Sequence, residues 1–331
     1  MKKHKGEIII RILQLIISLA AIVFVVYKLT QFGEWAAFYE HIDQNHIQFW
    51  LLLITQIFLS FLSLTLEGLK WQKLVNLVYS LKFSDALFQI LKGLQGGIVT
   101  PARLGDPPSR IMHLPKEFRS KSLLLSVMGI MIQNLVIGAG AILGLLFLNK
   151  LIIADASSIS QLEAALIKYA GILVLLIITG QILLLIGTRF LHKFSIIQKI
   201  TSFFLIVKDF KLSEVLNIIS LTLLKYFVFC FQFWLILFYF EIVTNPSHIA
   251  LVAIYFGAIT LLPTFAIADL GLRGSIAILL FGLISFNSLG IVLSVFLLWC
   301  LNTAMPAMIP LLWKNKVIPQ TLKTNSNKLL T

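Results

Sequence analysis

Charged residues are scarce in this 331-residue chain, at 12% of the sequence, and they comprise 14 acidic residues and 27 lysines and arginines. A soluble domain is about 25% charged, whereas hydrophobic residues here reach 59%. The two cysteines, Cys230 and Cys300, lie in apolar runs, and no histidines have metal-ligand spacing, so neither a disulfide framework nor a metal site is expected. The polar stretches are too short for a nucleic-acid-binding domain. The net charge of +13 is therefore interpreted as membrane topology.

Long apolar runs are what the sequence has instead. Crossing about 30 Å of hydrocarbon takes about 20 helical residues. Six runs meet that length: 8–29, 47–66, 122–148, 165–187, 214–240 and 289–312. The second run is expected to continue as a helix through Trp71. The first run has no convincing signal cleavage site and is expected to stay as a span. The fold class predicted is all-α: one polytopic membrane bundle over residues 1–331.

The basic residues predict the orientation of this bundle. With the N-terminus in the cytoplasm, 22 lysines and arginines fall in cytoplasmic segments and 3 on the opposite side. Such an excess follows the positive-inside rule. Both termini, including the tail 314–331, are therefore expected in the cytoplasm.

Two apolar stretches are too broken to read as ordinary spans. The first element, 84–121, has a short helix 84–98 and then a turn with Pro101 and Gly105. The second, 249–286, has pieces 249–262 and 274–286, separated by a turn from Pro263 through Gly271 to Arg273. Interrupted segments of opposite orientation indicate a transporter binding site near the midplane. We expect two re-entrant hairpins, with two short spans in 249–286 as the alternative.

The charges in and near these elements are the candidate substrate-binding residues: Arg103, Asp106, Arg110, Lys225, Asp269 and Arg273. Arginines bind anionic headgroups well, and ionisable residues within the membrane are functional by default. Structural explanations stay open for each of them. Arg103 and Arg110 fit ordinary loop arginines. Pro107 after Asp106 predicts extended backbone there.

Three charges deeper in the bundle have structural alternatives too. Asp269 and Arg273 have the spacing of a neutralising helical pair, and Asp269 could instead cap a helix over 270–286. Lys225, near the middle of its span, could pair with Asp269 or Glu241. The adjacent polar residues 133–134, Gln and Asn, are interpreted as interhelical hydrogen-bonding groups.

These motifs resemble the bacterial lysylphosphatidylglycerol synthase transmembrane-region family, also called flippase-like domain proteins. The first element matches at Pro101, Arg103, Gly105, Asp106 and Arg110, and the second at Pro263, Asp269, Gly271 and Arg273. The pair Lys70–Trp71 also matches, and the resemblance extends over essentially the whole chain. Two departures concern the motifs: aspartate replaces glutamate in both, and a double proline follows Asp106.

The resemblance implies movement of a lipid between leaflets of the bacterial cytoplasmic membrane. The expected partners are lipids with anionic headgroups, either phospholipids, aminoacylated or not, or polyprenyl phosphates. A separate lipid-modifying enzyme that supplies the lipid is a further candidate partner. No phosphate-binding loop for ATP occurs, so transport would be downhill or ion-coupled. A membrane-embedded headgroup or glycosyl transferase, with Asp106 or Asp269 as base, and an accessory scaffold are the alternatives. No cofactor is expected, and the oligomeric state is open.

Overall fold

The computed structural model describes residues 35–98, 100, 103–154, 211–261 and 266–312, together with Thr30. These residues are helical throughout, with short connections and no strand. The elements in chain order are α1 (Trp35–Gln44), α2 (His46–Val75), α3 (Phe83–Ile98), α4 (Asp106–Ile111), α5 (Lys116–Ala154), α6 (Leu212–Tyr239), a 3₁₀ turn (Pro246–His248), α7 (Ile249–Leu261), α8 (Ala266–Phe281), α9 (Ser288–Trp299), a π-helical turn (Cys300–Ala304) and α10 (Met305–Leu312).

Four helical segments are long and apolar enough to cross a membrane. They are His46–Val75, Lys116–Leu148, Leu212–Tyr239 and Ser288–Leu311. Each covers all or nearly all of one of the six runs expected from the sequence, and the second run does continue as helix beyond Trp71. The other two expected spans, 8–29 and 165–187, and the tail 314–331 lie outside the described residues.

The two broken elements form helices too short to span. Helix α3 has 16 residues and α7 has 13, which correspond to about 24 Å and about 20 Å. Helix α8 begins at Ala266, not at residue 274 as the sequence suggested. Its first residues are mostly good helix formers, and one glycine costs only about 1 kcal/mol in a helix. The expected turn is therefore shorter, and Asp269, Gly271 and Arg273 lie within α8.

The larger apolar core lies where α6, α7, α8 and α9 meet. Phe233, Tyr255 and Phe281 are almost fully buried there, and the Phe233 and Tyr255 rings lie 4.8 Å apart. Their rings pack against one another at tilted and edge-on angles, as aromatic pairs prefer. This core holds the second broken element against α6 and α9.

Close packing of α5 against α7 depends on small residues. A Cβ on Gly144 would lie 2.8 Å from the Ala250 carbonyl oxygen, and a Cβ on Gly257 would lie 2.5 Å from the Ala141 Cβ. Real Cβ atoms do not approach neighbours that closely, so the helix backbones can meet only with glycine there. Small residues serve the same purpose in membrane helices generally, because lipid gives no hydrophobic drive for association.

A second apolar cluster packs α3 and α4 against one end of α2. Its centre is Trp71, 1% exposed, with Leu74, Ile90 and Ile111 around it. The indole Nε1 of Trp71 donates a 2.7 Å hydrogen bond to Oε1 of Gln89 in α3. This bond satisfies the polar atom of a buried indole. The cluster thereby fixes the first broken element beside the charged residues of α2.

Candidate functional site

The turn between α3 and α4 is held by Thr100. Its hydroxyl donates to the Gly96 carbonyl oxygen at 2.8 Å and accepts from the Gly105 N–H at 2.8 Å. Arg103, within this turn, has φ of 56°, a left-handed conformation that costs a non-glycine residue about 1–3 kcal/mol. Strain of this kind persists where surrounding contacts fix the backbone. The turn therefore presents Arg103 in one particular direction.

Helix α4 positions Asp106 and Arg110 on one face. The sequence predicted extended backbone at Asp106, and this was wrong: α4 begins there, with Pro107 and Pro108 in its first turn. Prolines are tolerated at that position because the first helical N–H groups have no intrahelical acceptor. Arg110, one turn later, binds both carboxylate oxygens of Asp106, with Nη2 3.0 Å from Oδ2 and Nε against Oδ1.

Glycines of α3 leave the space that this ion pair occupies. A Cβ on Gly93 would overlap the Asp106 carboxylate and the Arg110 side chain, and a Cβ on Gly96 would overlap Ser109. The two short helices are therefore in direct backbone contact beside the charges. Asp106 and Arg110 are only 9% and 7% exposed as a result.

The charges join into a continuous network around Glu67 of α2. One Glu67 oxygen accepts from Arg110 Nη1 at 3.0 Å, and the other lies 2.7 Å from both the Lys70 and Lys225 ammonium nitrogens. The structural alternative for Lys225, an ion pair with Asp269 or Glu241, was wrong in its partner, which is Glu67. All four side chains are largely buried, at 4–16% exposure.

Glu67 is a central residue of this candidate site that sequence reasoning missed. It lies one position beyond the predicted span 47–66, in the stretch counted as a helical extension. A carboxylate at the edge of an apolar run, seven residues after the buried Ser60, was the available signal. Gln133 of α5 confirms the interhelical bonding expected of it, because its Oε1 accepts from Lys70 at 3.0 Å.

The second broken element meets the network at Arg103. Asp269 and Arg273 form the neutralising pair that their spacing predicted, with Oδ2 2.9 Å from Nε. Asp106, Arg273, Asp269 and Arg110 all lie close enough to Arg103 to act on its charge. The buried Nη2 of Arg103 has no hydrogen-bond partner among the described residues. A buried unpaired guanidinium N–H is costly, and it is an available donor for an anion.

Arg103 is also one of the residues that line a narrow crevice. Its volume is about 10 Å³, close to the minimum for one water molecule. The lining residues come from the first broken element, from α8, and from α9 with the π-helical turn: Gly97, Ile98, Thr100, Arg103, Asp269, Trp299 and Thr303. The structure thus brings together residues from both broken elements.

The π-helical turn is a further feature without a recognised sequence signal. Its N–H to C=O spacing of five residues is shown by Met305, whose N–H bonds to the Cys300 carbonyl oxygen. Ser60 of α2 donates to the Leu301 carbonyl oxygen at 2.7 Å and to Asn302 Oδ1 at 3.0 Å. Single π turns within helices occur mostly at functional sites.

The network carries more positive than negative charge. At ordinary protonation, five cations (Lys70, Arg103, Arg110, Lys225 and Arg273) accompany three carboxylates (Glu67, Asp106 and Asp269). Two positive charges thus stay uncompensated within the described part of the chain. An excess of buried positive charge favours an anionic ligand.

Of the four predicted turn residues, the structure describes two. Gly105 lies in the turn before α4, where a Cβ would contact the Gly96 carbonyl oxygen. Gly271 lies inside α8 instead, since that helix starts earlier than expected. Pro101 and Pro263 are outside the described residues. The ranges that are described contain no group of three side chains able to hold a metal ion.

The fold and the buried charges define a polytopic α-helical membrane protein with a polar site between its helices. The chain belongs to the lysylphosphatidylglycerol synthase transmembrane-region family, whose model matches residues 11–310. Comparisons with curated proteins and with solved structures find no match to this chain. Family membership connects the protein with membrane lipids.

Proposed function

We propose that the protein moves an anionic lipid between the two leaflets of the bacterial cytoplasmic membrane, and that the charge network around Glu67 and Arg103 binds the headgroup. Phospholipids, aminoacylated or not, and polyprenyl phosphates both carry a suitable ionised phosphate. A separate lipid-modifying enzyme would supply the lipid. In this proposal Arg103 contacts the phosphate, while Asp106 and Glu67 orient Arg110 and Lys225.

The observation that carries the proposal is the unpaired Nη2 of Arg103 at the crevice, within a network that has excess positive charge. Arginine binds phosphate through planar, charge-assisted hydrogen bonds. A phosphate oxygen at the crevice would pair the free N–H and reduce the buried charge at once. Both effects lower the cost of holding this site inside the bundle.

The geometry favours binding over acid–base chemistry at Asp106. Both of its oxygens are engaged by Arg110, so a proton transferred to Asp106 would have to break that pair. A general base needs an oxygen within reach of the substrate proton. This supports translocation rather than the alternative of a headgroup or glycosyl transferase.

The transport path in this proposal runs between two re-entrant hairpins of opposite orientation. With the N-terminus in the cytoplasm, α3 would enter from that side and α7–α8 from the outside. Asp269→Cys, probed with a membrane-impermeant maleimide from each side, tests this arrangement. Labelling exclusively from the cytoplasm would contradict the outward-opening hairpin.

Translocation also requires the site to open. The crevice holds about one water molecule, so a headgroup can enter only if α3, α8 and the π-helical turn separate. The absence of an ATP-binding motif from the sequence is consistent with downhill or ion-coupled exchange. The closed crevice would then represent a state between the two openings.

The test is leaflet exchange of fluorescent phosphatidylglycerol and of a polyprenyl phosphate in proteoliposomes. Arg103→Gln and Arg273→Ala should each reduce the exchange rate at least tenfold, since charge-assisted hydrogen bonds contribute about 1.5–3 kcal/mol. Arg103→Lys, which keeps the charge but loses the planar donor pair, should fall between.

The matched control is Lys116→Gln, an exposed cation at the start of α5 outside the network. It should exchange lipid at the native rate. Asp106→Asn distinguishes the two candidate functions. It should reduce lipid exchange by a translocator, whereas it should abolish the activity of a transferase that needs Asp106 as its base. A folded native protein that moves neither lipid contradicts the proposal.

A further inference from the structure

The hydroxyl of Thr303 does not make the hydrogen bond that is most frequent among the helical hydroxyls of the described residues, and in this it resembles the unpartnered hydroxyls of Ser122 and Ser126 in α5. Five serine and threonine hydroxyls, those of Thr65, Thr222, Thr260, Ser275 and Ser294, donate to the carbonyl oxygen four residues earlier at 2.7–2.9 Å. This is the usual bond for such residues within a helix. Thr303 makes no hydrogen bond with any described residue.

Thr303 lies within the π-helical turn. In a regular α-helix the usual acceptor for its hydroxyl is the carbonyl oxygen four residues earlier, here that of Trp299. Thr303 and Trp299 both line the crevice. Arg103, whose Nη2 has no partner among the described residues, lines the same crevice.

The size of the crevice brings these two donors to the same place. A volume of about 10 Å³ accommodates roughly one oxygen-sized group. Arg103 lies on the side of the first broken element and Thr303 on the side of the last span. A single oxygen atom between them can accept from both donors.

We infer that Thr303 is a second headgroup-binding residue, which donates a hydrogen bond to the same ionised phosphate oxygen as Arg103. The inference rests on the proposed function. It adds that the last span, Ser288–Leu311, forms one side of the headgroup site. Ser60 and Asn302 act as positioning residues, because their hydrogen bonds hold the π-helical turn against α2.

The test measures how exchange saturates with lipid. Phosphatidylglycerol is varied as a mole fraction in proteoliposomes, and the half-saturating fraction and maximal rate are determined for each variant. Thr303→Val, which replaces the hydroxyl by a methyl of similar size, should raise the half-saturating fraction about tenfold, as expected for one hydrogen bond to a charged group. Thr303→Ser should behave as native.

Thr65→Val is the matched control. Its hydroxyl bonds within α2 to the Phe61 carbonyl oxygen and does not line the crevice. The same substitution there should leave both parameters at native values. Ser60→Ala should raise the half-saturating fraction in the same direction as Thr303→Val, and combining the two should add little.

The outcomes separate this inference from the proposed function. One outcome is that the native protein exchanges lipid, that Arg103→Gln stops the exchange, and that Thr303→Val behaves as native. This outcome would overturn the role of Thr303 and leave the proposed translocation standing. If the native protein exchanges no lipid, both fail. Excess inorganic phosphate should not inhibit exchange. Inhibition by it that Arg103→Gln removes would assign the crevice to a soluble anion and overturn the lipid contact.

Discussion

Replacing Glu67 by glutamine is the most informative perturbation of this structure. The change keeps the size of the side chain and removes the one carboxylate that contacts Lys70, Lys225 and Arg110 together. Arg110 would keep Asp106 as its partner. The two lysines would then lose their shared carboxylate while remaining largely buried and close to each other.

The expected cost follows from charge and burial. At an effective dielectric constant of about 20, each contact of 2.7–3.0 Å represents about 6 kcal/mol of gross attraction. Desolvation offsets most of it, and removal of one partner from a buried ion pair typically costs about 3–5 kcal/mol. At about 2–4 °C per kcal/mol for large domains, we expect the melting temperature to fall by on the order of 10 °C.

The measurement is thermal unfolding of purified native and variant protein in the same detergent. Glu117→Gln, an exposed carboxylate in the first turn of α5, is the control and should melt within about 2 °C of native, as surface substitutions do. The double variant Glu67→Gln with Lys225→Gln should recover part of the loss, since it removes one unpaired cation. A Glu67→Gln protein that melts like the control would refute the network as a stabilising feature.

Three further predictions concern other parts of the fold. Gly93→Ala should displace α4 and abolish lipid exchange, whereas Gly68→Ala, whose Cβ would lie 3.2 Å from a ring edge, should be tolerated; exchange and melting are compared for both. Gly257→Leu should separate α7 from α5 and reduce the yield of folded protein on size-exclusion chromatography, because Ala141 leaves no room for the side chain. Partial burial, and then Lys92 and Arg119, lower the pKa of His113. Since the unfolded chain binds that proton more readily, native stability should decline below pH 6.5, and His113→Gln should decline less in parallel melts.

Much of the helical architecture is predictable from composition and periodicity. A run of about 20 apolar residues without charge has one stable state in a membrane, a helix, because lipid offers no partner for backbone polar groups. The structure accordingly has helical segments over all or nearly all of the spans 47–66, 122–148, 214–240 and 289–312. The short helix predicted over 84–98 was also confirmed in its bounds to within one residue, although the two glycines expected to stop it lie just inside its end.

The errors in prediction have local physical causes. Proline after Asp106 disfavours helix at the preceding residue in general, but Asp106 is itself the first helical residue, where that restriction is weakest. At the second element the charged residues suggested a turn, although nothing among residues 266–273 prevents a helix. Asp269 and Arg273 remain helical because they neutralise each other at 2.9 Å.

Sequence by itself determined that this is a helical membrane protein, which segments could cross the bilayer, and which charges stand out against an apolar background. Only the tertiary structure decided how those charges are paired. Glu67 meets Lys225 across 158 positions of the chain, and Arg103 meets Asp269 and Thr303 only because α3, α8 and the last span pack around one crevice. Hydropathy is a property of each segment alone, whereas the partner of a buried charge depends on which helix faces it.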